Sequence, residues 1–499
     1  MRSRWPWILG CAALVAGTAA AIYYGRAGLT LSHYDARAHL VVARRILDSL
    51  TPGWQQIGAV WLPLPHVLNM IPVQIDAWYR SGASGVAISV ASTAATAWAL
   101  SRLILSCTGS MAGGLAGAVL LLANPNLLYI QSTPMTEPLL LATTFLSLTW
   151  LADWIESGAT GWPRRAGLTL AAASMTRYEG WLIAAAGVTL TAAILLRRAT
   201  PVAHTARATL RLAAYPALAI ALFTANSRWT IGTWFIPSGF FVPENPALGR
   251  PWLAWEQVWD SVDQLSGTTY VWPAYLGAAL IVLAFLFSRT RATLAVVLAV
   301  LAAGALPWYA YLQGHPLRVR YGLVLVAACA ALAGGGIGLL WRPLRGIVAA
   351  ALVIAVLRQT SPLAGDALLV AESQRDATNA AGRAVVTAYL LEHYSRDEDG
   401  GAGSGADGPI MMSMGSLAHY MHDLGRAGFD IHSFLHEGNG EAWQYAVLGP
   451  TGYVNWVVIE ERAEGGDALY QALQRDARYL KGFERVAEGG GVALYRRMR

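Results

Sequence analysis

Long apolar windows recur through the first 358 residues of this 499-residue chain, and they leave few options for its fold. Windows near helix-spanning length fall at about 6–24, 85–106, 112–130, 138–154, 164–176, 180–196, 210–226, 273–288, 292–310, 321–340 and 345–358. A helix satisfies its own backbone hydrogen bonds, as a segment in hydrocarbon must, and about 20 residues cross a core roughly 30 Å thick. The pattern predicts about eleven transmembrane helices. Only 13% of residues are charged, about half the share usual in soluble domains, which excludes an ordinary water-soluble protein. The start, MRSRWPWILGCAALVAGTAAAIYYG, has the basic and apolar parts of a signal peptide and small residues at Thr18 to Ala21. Because many spans follow, and Tyr23 and Tyr24 suit an interface, we read it as a retained first span.

Charge divides the chain in two. Residues 1–358 carry 24 basic and 11 acidic side chains, a net +13; residues 359–499 carry 12 and 19, a net −7. The first part reads as a multi-span membrane domain with outer loops at 25–84 and 227–272, and the second as a soluble extracytoplasmic α/β domain. In that tail, 366–395, 417–424 and 467–476 read as helices, and 409–414, 455–461 and 492–497 as strands. The Gly-rich acidic stretch Arg396 to Gly408 reads as a solvated loop. Lys and Arg collect in cytoplasmic loops. Arg2 with Arg4, Arg164 with Arg165, Arg197 with Arg198, Arg207 with Arg211, Arg289 with Arg291, and Arg342 with Arg345 fall in alternate connections, which are thus the inner ones. The tail then lies outside, and the chain reads as a multi-pass protein of the plasma (inner) membrane. No basic run is interleaved with aromatics, so nucleic acid is not an expected partner. Cys11, Cys107 and Cys329 lie in apolar stretches, which offers neither a disulfide framework nor a cysteine zinc site.

The orientation sorts the scarce carboxylates of the apolar part. Asp153 and Glu156 map inside; Asp35, Asp48, Asp76, Glu137, Glu179, Glu244, Glu256, Asp260 and Asp263 map outside. Carboxylates near membrane depth are costly and tend to mark function, so an outward-facing reaction centre is expected. In LSHYDARAHLVVARRILDSL, Ser32 or Asp35 can cap a helix running to about Leu50; Asp35 then either caps it or does chemistry. His33, Arg37, His39 and the rigid WLPLPH turn, with Trp61 and His66, add polar and aromatic company. STPMTEP sets Glu137 before the fourth span, where a carboxylate also suits a helix N-terminus. SMTRYEGW brings Arg177, Tyr178 and Glu179 into a tight turn in which Arg and Glu can simply neutralise each other. HPLRVRYG carries Arg318 and Arg320, suited to a phosphate at headgroup level or to anionic lipid. The aromatic stretch around FIPSGFFVPENP suits a lid, an acceptor platform or an interfacial belt.

The run YDARAHLVVARRILD followed by WLPLPHVL resembles the first outer loop of the GT-C superfamily of membrane glycosyltransferases, especially the branch of protein O-mannosyltransferases and the lipid A aminoarabinose transferase. TEP resembles the second acidic site of that family, TRYEG a recurrent turn, and HPLRVRY an R-x-R-Y region leading into a late span. Two positions depart from the family pattern. Position 36 is Ala where a second acid often stands, and Leu62 replaces a basic residue before the proline pair.

The resemblance implies transfer of a sugar, hexose or pentose, from a polyprenyl-phosphate lipid to a glycan, lipid or protein acceptor on the outer face, usually with inversion. In the reading that follows, Asp35 and Glu137 are catalytic, Asp35 as general base. Arg318 and Arg320 bind the donor phosphate, and His33, Trp61, His66, Arg177, Tyr178 and Glu179 contact substrate. No metal ligand set is expected and no cofactor is required; a divalent metal is left open, but the departures at 36 and 62 weaken the case for one and for a particular sugar. Two other readings fit the same residues. One is a transporter or flippase of a lipid-linked substrate; the other is a non-catalytic membrane scaffold with an outer binding domain.

Overall fold

The computed structural model describes residues 4–58, 60–234, 244–395, 407–463 and 465–498. Most of the acidic loop 396–408 and most of FIPSGFFVPENP lie outside them. The chain is a polytopic helical membrane protein with a small C-terminal sheet domain. All eleven apolar windows fall on helical segments. Among the described residues, eight of these are long and apolar enough to span a membrane: Trp5–Arg26, Ala83–Thr108, Glu137–Glu156, Glu179–Arg197, Val202–Ile231, Thr268–Phe287, Ala292–Leu312 and Val319–Leu339. The other three fall short for visible reasons. Met111–Ala123 and Arg164–Ser174 are 13 and 11 residues long, and Arg342–Gln359 carries Arg342, Arg345 and Arg358.

Two compact units form. The first comprises Met1–Ala27, Val86–Asn226 and Pro243–Ala371; the second comprises Gly28–Gly85, Ser227–Val242 and Glu372–Arg499. The units differ from a division at 358/359, because the first outer segment groups with the C-terminal chain and not with the bundle. In the bundle, glycines set how closely helices approach. A Cβ on Gly336 would stand 2.5 Å from the Cα of Gly277, and one on Gly113 would stand 2.5 Å from the carbonyl oxygen of Gly334. Small residues are what allow helices to pack backbone to backbone where lipid supplies no hydrophobic drive.

In the second unit, strands β1 (Ile410–Met412), β2 (Phe434–Leu435), β3 (Trp456–Glu460), β4 (Phe483–Gly489) and β5 (Val492–Arg497) form a sheet in the order β2-β1-β3-β5-β4. β1 runs parallel to β2 and β3, while β5 is antiparallel to β3 and β4. β2 and β4 were not legible in sequence: one is two residues long, and the other is a charged edge with a register shift at Arg485/Ala487. Successive side chains leave a strand on opposite faces, and both faces here are covered. Ile410, Met412, Trp456 and Val458 pack with Leu40, Val41, Ala43 and Tyr79 of the first outer segment. Met411, Val457 and Ile459 pack with Trp443, Leu469 and Leu480.

The first outer helix runs Tyr34–Arg44, shorter than the stretch to Leu50 read from sequence. Its cap is neither Ser32 nor Asp35: the His33 ring accepts the Asp35 N–H at 3.1 Å. Acids on both sides of its last turn hold it. Arg44 pairs with Asp48 at 2.8 Å, Asp76 at 2.7 Å and Asp430 at 3.5 Å, and its guanidinium lies over the Tyr79 ring. Asp48 also accepts the N–H groups of Ile431 and His432 and the His432 ring Nδ1 at 2.8 Å. Although burial raises it, hydrogen bonds from His432, Arg44 and Ile431 bring the Asp48 carboxyl down to about 2. The Asp48 hydrogen bond raises His432, with Asp430 adding and with burial and Arg44 opposing.

Two outcomes are expected. Gly336→Leu should lower the melting temperature of the purified chain by overpacking, which costs about 1–3 kcal/mol; unchanged melting would contradict the close approach to Gly277. The second concerns pH. A raised His432 stabilises the folded unit most fully below about 6.5, and that contribution is lost as pH rises through its folded value. The Asp48 contribution is present above about 4 and is lost as pH falls towards 2. Burial depresses His66, His419, His422 and His436, which favours folding as pH rises, so the diagnostic is a difference. The stability gap between the native chain and His432→Gln, from melts between pH 5.5 and 8, should shrink with rising pH; a constant gap would contradict the pairing.

Candidate active site

In the membrane unit, three of the motifs marked in sequence meet. Glu137 opens the helix Glu137–Glu156 and Glu179 opens Glu179–Arg197, each in the first turn, where backbone N–H groups favour negative charge. Arg177 lies between them. It pairs with Glu137 Oε1 at 3.2 Å and Glu179 Oε1 at 2.9 Å, and donates to Thr136 Oγ1 at 3.2 Å. Arg320 reaches Glu137 Oε1 at 3.3 Å. The two carboxylates are 3% and 5% exposed, so the group is a buried, charge-balanced cluster of two acids and two arginines, paired in the order Arg320, Glu137, Arg177, Glu179. Burial works against the charge on Arg177, yet Glu179 and Glu137 outweigh it and raise the guanidinium above its ordinary value. Removing one partner of a buried pair is costly, about 3–5 kcal/mol, because the other charge is stranded.

The turns that carry these residues are themselves fixed. Ser89 donates to the carbonyls of Thr133 at 2.8 Å and Met135 at 3.2 Å, which anchors STPMTEP. The glycine of TRYEG is required by space, since a Cβ at Gly180 would run into the carbonyl of Ala173. Tyr178 packs edge-on to Trp181. Arg318 is held through its backbone: its carbonyl accepts the Tyr311 hydroxyl at 2.9 Å, and its N–H donates to the same oxygen at 3.3 Å. Arg320 joins the cluster through Glu137, while Arg318, two residues before it, is half-exposed.

In the other unit, Asp35 occupies the first turn of its helix, half-buried. Asp376 stands at the same helix end, its Oδ2 accepting the Tyr34 N–H at 3.4 Å. Burial, with Glu372 and Asp35, holds Asp376 above the ordinary carboxylate range against the Tyr34 hydrogen bond and Arg37. His419, edge-on to Tyr34 and hydrogen-bonded to Arg383, is kept well below its ordinary value by burial and by Arg383 and Arg37, with Asp35 opposing. Arg37 pairs with Asp423 at 2.6 Å. The WLPLPH turn brings Trp61 and His66 against His39: the His39 Nδ1 and His66 Nε2 atoms share a hydrogen bond at 3.1 Å, and the Trp61 ring is 4.1 Å from that of His39. Burial, then His39 and Arg45, keep His66 well below its ordinary value. His33 serves as the cap already described.

Asp35 and Glu137 thus belong to different compact units. Asp376, His419 and Asp423 were not singled out in the sequence. The signal that could have found them is the net −7 of the tail set against the arginines of YDARAHLVVARR. Among the described residues no three His, Cys, Asp or Glu side chains stand together as a metal site.

No protein-family model and no curated protein sequence matches the chain. Solved structures do. ArnT from Cupriavidus metallidurans, solved bound to undecaprenyl phosphate, is similar at a TM-score of 0.56 and 12% identity, over 99% of this chain and 98% of that one. The Archaeoglobus fulgidus oligosaccharyltransferase, solved in the apo form, is similar at a TM-score of 0.52 and 11% identity, over 92% of this chain and 70% of that one. At such identities the likeness is one of fold. Both proteins are members of the GT-C superfamily, and this chain shares their fold.

Proposed function

We propose that the protein is a transferase of the plasma (inner) membrane that moves a sugar from a polyprenyl-phosphate donor to an acceptor on the outer face, with inversion and with its C-terminal domain on that side. The observation that carries this reading is the meeting of TEP, TRYEG and RVRY in one buried cluster of acids and arginines, within the fold of GT-C transferases. One of the similar structures holds undecaprenyl phosphate, which supports a polyprenyl phosphate as the donor's leaving group. The acceptor is a hydroxyl or amine of a glycan, lipid or protein.

In the proposed reaction, Asp35 takes the proton from the acceptor group as its heteroatom attacks the anomeric carbon. The bond from that carbon to the phosphate oxygen breaks, and polyprenyl phosphate leaves with the bonding pair. A developing phosphate charge is stabilised by fixed cations held away from water; Arg318 and Arg320 fill that role. Glu137 is barely exposed and bound to two arginines, which supports a part in orienting Arg320 more than direct contact with the acceptor. Arg177, held between two acids, keeps that carboxylate in place. Tyr178, Trp61, His33 and His66 are assigned to the substrate surroundings.

Two measurements test this, both reading undecaprenyl phosphate released by the full chain in proteoliposomes supplied with undecaprenyl-phosphate-linked hexoses, pentoses and amino sugars together with glycan, lipid and peptide acceptors. Asp35→Asn should slow turnover by a factor on the order of 100 or more, the scale of a lost general base; full activity would remove the base assignment. Arg320→Ala should lower kcat by about 100-fold, as for loss of one preorganised stabilising group, whereas a change confined to KM would show that Arg320 only binds donor.

A further inference from the structure

The acidic balance of the tail has a specific target in its own unit. Asp376 accepts the Tyr34 N–H, Asp423 pairs with Arg37 at 2.6 Å, and Asp430 reaches Arg44 at 3.5 Å. Three carboxylates of the C-terminal chain therefore meet the beginning, middle and end of the helix Tyr34–Arg44. Just beyond it, the buried Arg45 donates to the carbonyl of Gln56 at 2.6 Å and to the sulfur of Met414, with Glu437 countering its charge. His422 adds a hydrogen bond to the carbonyl of Tyr79 at 3.0 Å. The apolar residues Leu40, Val41 and Ala43 of the same helix are buried in the core it shares with the helix Met414–Arg426 and the sheet.

We propose that the C-terminal domain is the frame that orients the first outer helix, and that Asp423 is a positioning residue for Asp35, acting through Arg37. The inference rests on the reading of Asp35 as the base. Residues two apart on a helix lie about 200° apart around its axis, so Arg37 and Asp35 lie on nearly opposite sides. Pinning Arg37 fixes the roll of the helix and leaves Asp35 half-exposed on the other side. Arg37 is 4% exposed and Asp423 21%, so this pair is shielded far more than a surface pair. A helix turned by a fraction of a turn would carry the Asp35 carboxylate out of line with the acceptor, and displacement near 1 Å is enough to cost about 100-fold in rate.

The test is a double-mutant cycle on the full chain in proteoliposomes, reading undecaprenyl phosphate release from the linked sugars. Asp423→Asn is expected to lower kcat about tenfold while leaving KM within about twofold, and Asp423→Glu to recover most of the rate. Asp35→Asn with Asp423→Asn should be no slower than Asp35→Asn alone, because the second change acts only through the first. A wild-type rate in Asp423→Asn, or losses that multiply in the double variant, would overturn the proposal while leaving the base assignment intact. Full activity in Asp35→Asn would remove that assignment instead, and amide exchange over residues 34–44 then decides: Asp423→Asn must raise it about tenfold or more, and unchanged exchange overturns the frame. Should Asp423→Asn fail to fold, Asp423→Glu and Arg37→Lys carry the same comparison.

Discussion

The contact between Arg37 and Asp423 is the constraint on which much of the second unit depends. Burying a guanidinium costs free energy unless a carboxylate meets it, and the arginines of the first outer helix are buried. The tail supplies Asp423 for Arg37 and Glu437 facing Arg45, while Arg44 is met closely by Asp48 and Asp76 of its own segment and at 3.5 Å by Asp430 of the tail. A segment lying between two spans and a domain that begins more than 300 residues later are thereby joined into one unit with a shared apolar core. The +13 and −7 of the two stretches, which look like unrelated features of an apolar part and a soluble part, meet here as complementary groups.

The same rule governs the membrane unit. Glu137, Glu179, Arg177 and Arg320 are each too polar to stand alone in a bundle of apolar helices, and they are stable together because the charges cancel within about 3 Å. In the proposed reaction such a cluster suits the movement of charge. Groups already oriented need not reorganise when a leaving phosphate develops charge, and Gly180 lets the helix after Arg177 lie close against the Ala173 carbonyl. Structure and chemistry draw on one arrangement.

Much of the fold could be read from the chain. Apolar length marks helices reliably, so all eleven windows are helical, and alternation in NWVVIEE and VALYRR marked two strands of the sheet. What could not be read is pairing across distance. Asp376 and Asp423 are separated from their partners by more than 340 residues, and in sequence they resemble any solvated acid on a polar helix. That His33 caps the first outer helix was not legible either: its ring nitrogen accepts an N–H two residues on, a role the sequence reading gave to Ser32 or Asp35. The motifs TEP, TRYEG and RVRY were each visible as turns with charge, but not their meeting. The closeness of Gly277 to Gly336 leaves no trace in an apolar window beyond two small residues.

In the proposed mechanism, activity depends on how firmly one short helix is held. Its N-terminal turn carries Asp35, its middle is clasped by Asp423, and its last turn is bound to Asp48, Asp76 and Asp430. The most direct test is exchange of the charges themselves in the full chain. Arg37→Asp and Asp423→Arg are each expected to cut sugar transfer from undecaprenyl-phosphate-linked donors at least tenfold, on the scale of a misplaced reacting group, and the double exchange to restore a large part of the rate. A double variant no better than the worse single variant, or single variants with the native rate, would contradict the account.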